Sequence, residues 1–133
     1  MTEPSVVIRF DDNKHAHPPG AMLAGSFRLR GITADEVKAV ETSVLWYTEG
    51  KGEEDMAVHA FWRTSAEAGD WIALNRAHRF ETALPQTPLS YNGAILKVRW
   101  CVRVRVFLQG GREIIGQRSF HLGSLPAVEP VEP

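Results

Sequence analysis

Residues Leu84 to Leu108 read LPQTPLSYNGAILKVRWCVRVRVFL, and the second half of that stretch settles the fold class. Leu96, Val98, Trp100, Val102, Val104, Val106 and Leu108 share one parity, whereas Lys97, Arg99, Cys101, Arg103 and Arg105 share the other. Successive side chains of a strand point to opposite faces, so alternation this long specifies a strand with one apolar face. The apolar face needs a second layer, which makes this a central strand of a layered β protein. Ahead of it, Pro85 and Pro88 lack amide donors and suit a crossing between sheets. Asn92-Gly93 is a turn signal, because both residues tolerate positive φ.

The rest of the chain repeats the pattern. Ser5 to Phe10 (SVVIRF) reads as a short strand, and Asp11 to Gly20 as a polar loop closed by Pro and Gly. Met22 to Arg30 alternates Leu23, Phe27 and Leu29 against Ser26, Arg28 and Arg30. After a turn over Gly31 to Glu36, Val37 to Thr48 sets Val40, Val44 and Trp46 against Glu41, Ser43 and Tyr47. Met56, Val58, Ala60 and Trp62 alternate with His59 and Arg63, and Trp71 to Leu84 holds one or two strands. Gln109-Gly110-Gly111-Arg112 is a hairpin turn into a returning strand, Glu113 to Leu122. No segment reads as a helix. Short strands at regular spacing indicate an all-β, immunoglobulin-like antiparallel sandwich rather than a βαβ sheet.

A length of 133 residues predicts one domain with a real core, here 1–126, followed by a frayed Pro/Glu-rich tail over 127–133. The formal net charge of −1 gives no global field toward nucleic acid. The lone cysteine, Cys101, cannot form an internal disulfide, and no apolar run reaches spanning length, so a cytoplasmic, non-membrane setting is expected. The acidic segment Glu49 to Asp55 has no apolar anchor and is expected to be a dispensable loop.

Three pieces resemble the arrestin-like superfamily. PPGAMLAGSFRLR (Pro18 to Arg30) is similar to that family's early P-G-x-x-L/V-x-G-x-V/F-x-L segment, with Gly25 where backbones come close. Val37 to Trp46 occupies the place of its V-x-x-V-x-V-x-L strand. In FETALPQTPLSYNGAILKVRWCVRVRV, the residues Phe80, Leu84, Pro85, Pro88, Ser90, Tyr91, Gly93, Val98, Trp100, Val102 and Val104 match a third block. The resemblance implies a sandwich that acts as an adaptor without catalysis. Arrestins pair two such sandwiches, and this chain has room for one, of the N-terminal type. A homodimer or a dedicated protein partner is therefore expected at the face a second domain would cover.

The candidate binding surface is a basic sheet face of Arg28, Arg30, Lys97, Arg99, Arg103 and Arg105, expected to lie together if their strands share a sheet. Guanidinium forks suit an acidic or phosphorylated peptide. The plainer reading is a solvated face neutralised by cross-strand carboxylates such as Glu41 or Glu113. His15 and His17 form an H-x-H pair without a defined third ligand, so no metal or other cofactor is expected. Cys101 among arginines could have a lowered pKa, but a mid-strand thiol lacks the setting of a nucleophile, and no catalytic motif appears. Trp46 and Trp100 belong to the core. Exposed Trp62 or Trp71 would instead suggest a lectin-like, ligand-binding sandwich.

Overall fold

The computed structural model describes residues 3–52 and 54–124. The tail and the boundary expected near residue 126 lie outside the described residues. Strands β1 (Ser5–Phe10), β3 (Met22–Arg30) and β6 (His78–Ala83) form a small sheet in the order β1-β3-β6. The large sheet runs β2 (Ala16–His17), β9 (Glu113–Leu122), β8 (Leu96–Leu108), β4 (Val37–Gly50), β5 (Met56–Ser65), with β7 (Tyr91–Asn92) also on β8. The pairings are antiparallel except β2 with β9. The only helical pieces among the described residues are 3₁₀ turns at Ala34–Glu36 and Gln109–Gly111. This is the expected all-β sandwich.

The apolar parities build the core. Trp100, Val102, Val104, Val106 and Leu108 of β8 are buried, and they pack with Val40 and Val44 of β4 against Ile8, Phe10, Leu23, Phe27, Leu29 and Phe80 of the small sheet. Leu96, the first residue of β8, is exposed despite its parity. Gly25 lies where β1 and β6 crowd β3. A Cβ there would come within 2.3 Å of the Arg9 carbonyl oxygen and 2.7 Å of the Phe80 ring, which explains the glycine the sequence singled out.

The proline segment carries the chain from β6 in the small sheet to β7 in the large one, as expected. Trp100 Nε1 donates to the Pro88 carbonyl at 2.7 Å, which ties the crossing to the core. The Asn92-Gly93 reading needs correction. Neither residue has positive φ; Asn92 lies in β7, and the Gly93 amide donates to the Leu96 carbonyl at 3.0 Å. Glycine is required for room, since a Cβ at position 93 would lie 2.4 Å from the Tyr91 ring.

Two expected loops are more structured than their composition suggests. Asp11 to Gly20 contains β2, and His17 is buried in it between the Phe10 and Phe120 rings. At Glu49 to Asp55, the first residues continue the β4 ladder, Glu49 opposite Lys97 and Gly50 opposite Leu96. The Asp55 amide closes the far end on Thr48 Oγ1 at 2.8 Å. The ends of this segment are therefore part of the sheet, and the idea of a dispensable loop shrinks to its tip.

Candidate functional site

The register divides the expected basic face in two. Lys97, Arg99, Arg103 and Arg105 lie on the outer face of the large sheet, whereas Arg28 and Arg30 belong to β3, on the outer face of the small sheet. Parity alone could not reveal this, because it fixes the face of a strand but not the sheet that strand joins.

The two groups differ in how their charge is met. On the large sheet, Arg99 Nε lies 3.1 Å from Glu49, and Arg105 Nη2 binds both Glu113 oxygens at 3.0 and 3.1 Å. Arg103 Nε donates to Gln117 Oε1 at 3.0 Å, Lys97 stands opposite Glu49, and neighbouring Arg63 is paired with Glu41. Arg63, Arg99 and Arg105 thus pair with Glu41, Glu49 and Glu113 on adjacent strands, as cross-strand pairing favours, while Lys97 and Arg103 have no carboxylate within ion-pair distance among the described residues.

On the small sheet the balance is different. Arg9 stands opposite Ser26, Arg28 opposite Val7, and Arg30 opposite Ser5. Ser26 also faces Arg79 of β6, so its hydroxyl sits between two arginine positions. Val7, Arg9, Ser26, Arg28, Arg30 and Ala77 line a cleft of about 310 Å³. Arg79 is held at the margin by Asp11, with Nη1 3.0 Å from Oδ1, and that pair holds the Asp11 carboxyl below its usual range. Among the described residues, Arg9, Arg28 and Arg30 have no carboxylate within ion-pair distance. Alternate residues of a strand are about 6.6 Å apart. In water, two such charges repel by only about 0.6 kcal/mol. The fold can carry the cluster cheaply while leaving its donors open to an anion. Arg9 was missed in the sequence because Ile8 and Phe10 flank it in a short strand; only the β1–β3 register brings it to the arginines of β3.

Cys101 is fully buried on the outer side of β8, between Leu45 and Ser119 in the ladder. Burial pushes its thiol up to about 11, and the charge of Arg103 offsets only part of that. The idea of a lowered, nucleophilic pKa is corrected: desolvation of the thiolate outweighs the nearby cations. Native protein at pH 8 should therefore resist thiol reagents and react fully only when denatured. The unfolded thiol ionises near 9.0, below the folded one, so stability should fall as pH rises from 9 toward 11. Rapid labelling without unfolding would contradict this assignment.

His17 Nε2 lies 3.1 Å from the Lys14 carbonyl and Nδ1 lies 3.6 Å from Asp12, which makes it a buried brace of its loop. Among the described residues, no three His, Cys, Asp or Glu side chains are grouped to hold a metal. Trp71 is 82% exposed on the segment after β5, and Trp62 lines the gap between the sheets with Phe27, Thr64 and His78. Among the described residues, no ring pair includes either tryptophan, so they do not form a joint platform there. No helix among the described residues is long and apolar enough to cross a membrane.

Solved structures share this architecture. Spo0M, a sporulation control protein from Bacillus subtilis, superposes with a TM-score of 0.65 at 17% identity, over 94% of this chain and 51% of that one. The chain is similar in fold to Spo0M. It spans about half the length of that protein. A superoxide reductase (neelaredoxin) from Ignicoccus hospitalis matches with a TM-score of 0.51 at 7% identity, over 89% of this chain and 80% of that one. At such identities the likeness concerns the sandwich alone. No protein-family model and no curated protein matches the sequence.

Proposed function

We propose that this chain is a non-catalytic, arrestin-like protein-binding module that takes an acidic or phosphorylated segment of a partner in the small-sheet cleft. The observation that carries the reading is the contrast between the two faces. Arg99 and Arg105 of the large sheet are bound to carboxylates, whereas Arg9, Arg28 and Arg30 converge on one cleft without a carboxylate among the described residues. Guanidinium groups offer paired donors to carboxylate or phosphoryl oxygens, and an extended peptide repeats its side chains at the spacing of these arginines.

Support for an adaptor comes from the three arrestin-like sequence segments and from a fold that superposes on Spo0M. The inert setting of Cys101 fits a role without covalent chemistry. A lone buried thiol also suits a reducing, cytoplasmic setting. The lectin-like alternative draws only on separate tryptophans, with Trp71 exposed and in no ring pair among the described residues.

Fluorescence anisotropy with a labelled, glutamate-rich peptide tests the proposal. Binding should weaken steeply with added salt, since exposed charge contacts are screened beyond about 8 Å at physiological ionic strength. A neutral peptide of equal length should not bind. Equal affinity for both peptides, or no binding of the acidic one at low salt, would refute the reading.

A further inference from the structure

The two layers are unequal: the large sheet sets five strands in line against three. On one flank β6 ends the small sheet and β5 ends the large one. His59 Nε2 lies 2.7 Å from the Ala83 carbonyl at one end of β6, and the His78 ring meets the Ala73 carbonyl at the other. On this flank a cavity of about 200 Å³ opens into the space between the sheets.

Its wall carries two kinds of group. Val40 and Thr42 of β4 stand opposite Thr64 and Trp62 of β5, and Phe27 and Phe80 of the small sheet close the other side. Phe27, Val40 and Phe80 belong to the apolar core, so the floor is apolar. Thr42 is the exception. It is 5% exposed, yet the threonine hydroxyls that hydrogen-bond among the described residues are those of Thr33, Thr48 and Thr82. Among the described residues, Arg105 Nε alone is both unpaired and fully sealed from solvent. The unpaired Thr42 oxygen is therefore not sealed, and the cavity it lines is its open side. A buried hydroxyl costs stability unless something bonds it. Val40 and Val44 flank Thr42 on the same parity, and a valine at 42 would fill the same space without an unmet hydroxyl.

We infer that this cavity binds a small, neutral aromatic alcohol of about the size of phenol. Its ring lies among Phe27, Trp62 and Phe80, and its hydroxyl bonds Thr42. A cavity of about 150 Å³ takes a benzene ring, and drug-sized ligands need about 300 Å³ or more. The space here admits one ring with a small substituent. Aromatic walls receive such a ring edge-on or offset. A threonine hydroxyl both donates and accepts, which matches an alcohol. Neutrality follows from the mouth, where both basic residues are engaged. Arg79 is bound to Asp11, and His78 is held by the Ala73 carbonyl and stacked on Phe27 at 4.9 Å. The cavity shares no lining residue with the arginine cleft, so the two sites are separate.

Chemical-shift mapping of the full chain with phenol, and with toluene as its match in size without the hydroxyl, tests the site. Phenol should give shifts that saturate in the millimolar range or below at Thr42, Trp62, Thr64 and Phe80, with Arg9 and Arg28 unmoved. Benzoate should bind at least about tenfold more weakly, because its charge would be buried without a partner. Thr42→Val should weaken phenol about tenfold, the equivalent of one hydrogen bond. It should leave toluene unweakened and hold or raise the melting temperature. Phenol shifts that never saturate, or that lie elsewhere, would overturn the proposal, the cavity then holding solvent alone. So would benzoate binding as tightly as phenol, or a Thr42→Val variant that binds phenol as well as wild type. The wild-type mapping needs no variant, so it decides the matter even if valine impairs folding.

Discussion

Replacing Trp100 with alanine should cost about 3–5 kcal/mol, the range for deleting a large buried aromatic side chain. Trp100 is 1% exposed, meets the His59 ring edge-on and lies 5.8 Å from the Phe120 ring. Its indole N–H also holds the Pro88 carbonyl of the crossing segment. Alanine would leave a cavity in the centre of the sandwich and an acceptor without its donor, two separate costs. Domains of this size are stable by only about 5–15 kcal/mol, so the variant would be close to unfolding. Trp71→Ala removes a solvent-exposed ring and should stay within about 0.5 kcal/mol of wild type. Urea denaturation of both variants makes the comparison. A Trp100→Ala midpoint near that of wild type would contradict the packing described here.

Arg28→Glu should reduce affinity for the acidic peptide at least tenfold. A hydrogen bond to a charged group contributes about 1.5–3 kcal/mol, and the new carboxylate would also repel the ligand. The substitution should not destabilise the fold. Arg28 is exposed beside two uncompensated arginines, so a glutamate there relieves repulsion and gains partners. Paired titration and melting curves separate loss of binding from loss of structure. As a control, Arg99→Ala and Arg103→Ala on the opposite sheet should leave affinity nearly unchanged. Equal losses on both faces would mean that the peptide responds to total charge and has no defined site.

The sandwich could be read in the sequence because its strongest signals are local. The alternation from Leu96 to Leu108 reports burial directly, and the Gly110-Gly111 turn has the positive φ its glycines suggest. Gly25 was likewise legible as a point of close approach. The site was less legible because it depends on which strands become neighbours. Arg28 and Arg105 look alike along the chain, yet Arg105 meets Glu113 across the β8–β9 hairpin, and Arg28 meets Val7. Arg9 becomes a site residue only through long-range pairing of β1 with β3. His17 and the ends of the acidic segment misled for the same reason. Polar composition suggests a loop, but partners distant in sequence, such as Phe120, buried one and ordered the others.

Amide chemical-shift mapping during titration with the glutamate-rich peptide tests the central claim most directly. The account predicts saturable shifts at Arg9, Ser26, Arg28 and Arg30, with the amides of Lys97, Arg99, Arg103 and Arg105 unmoved. Shifts centred instead on those β8 residues would contradict it, because the large-sheet face would then be the binding surface and the small-sheet cleft would have no role.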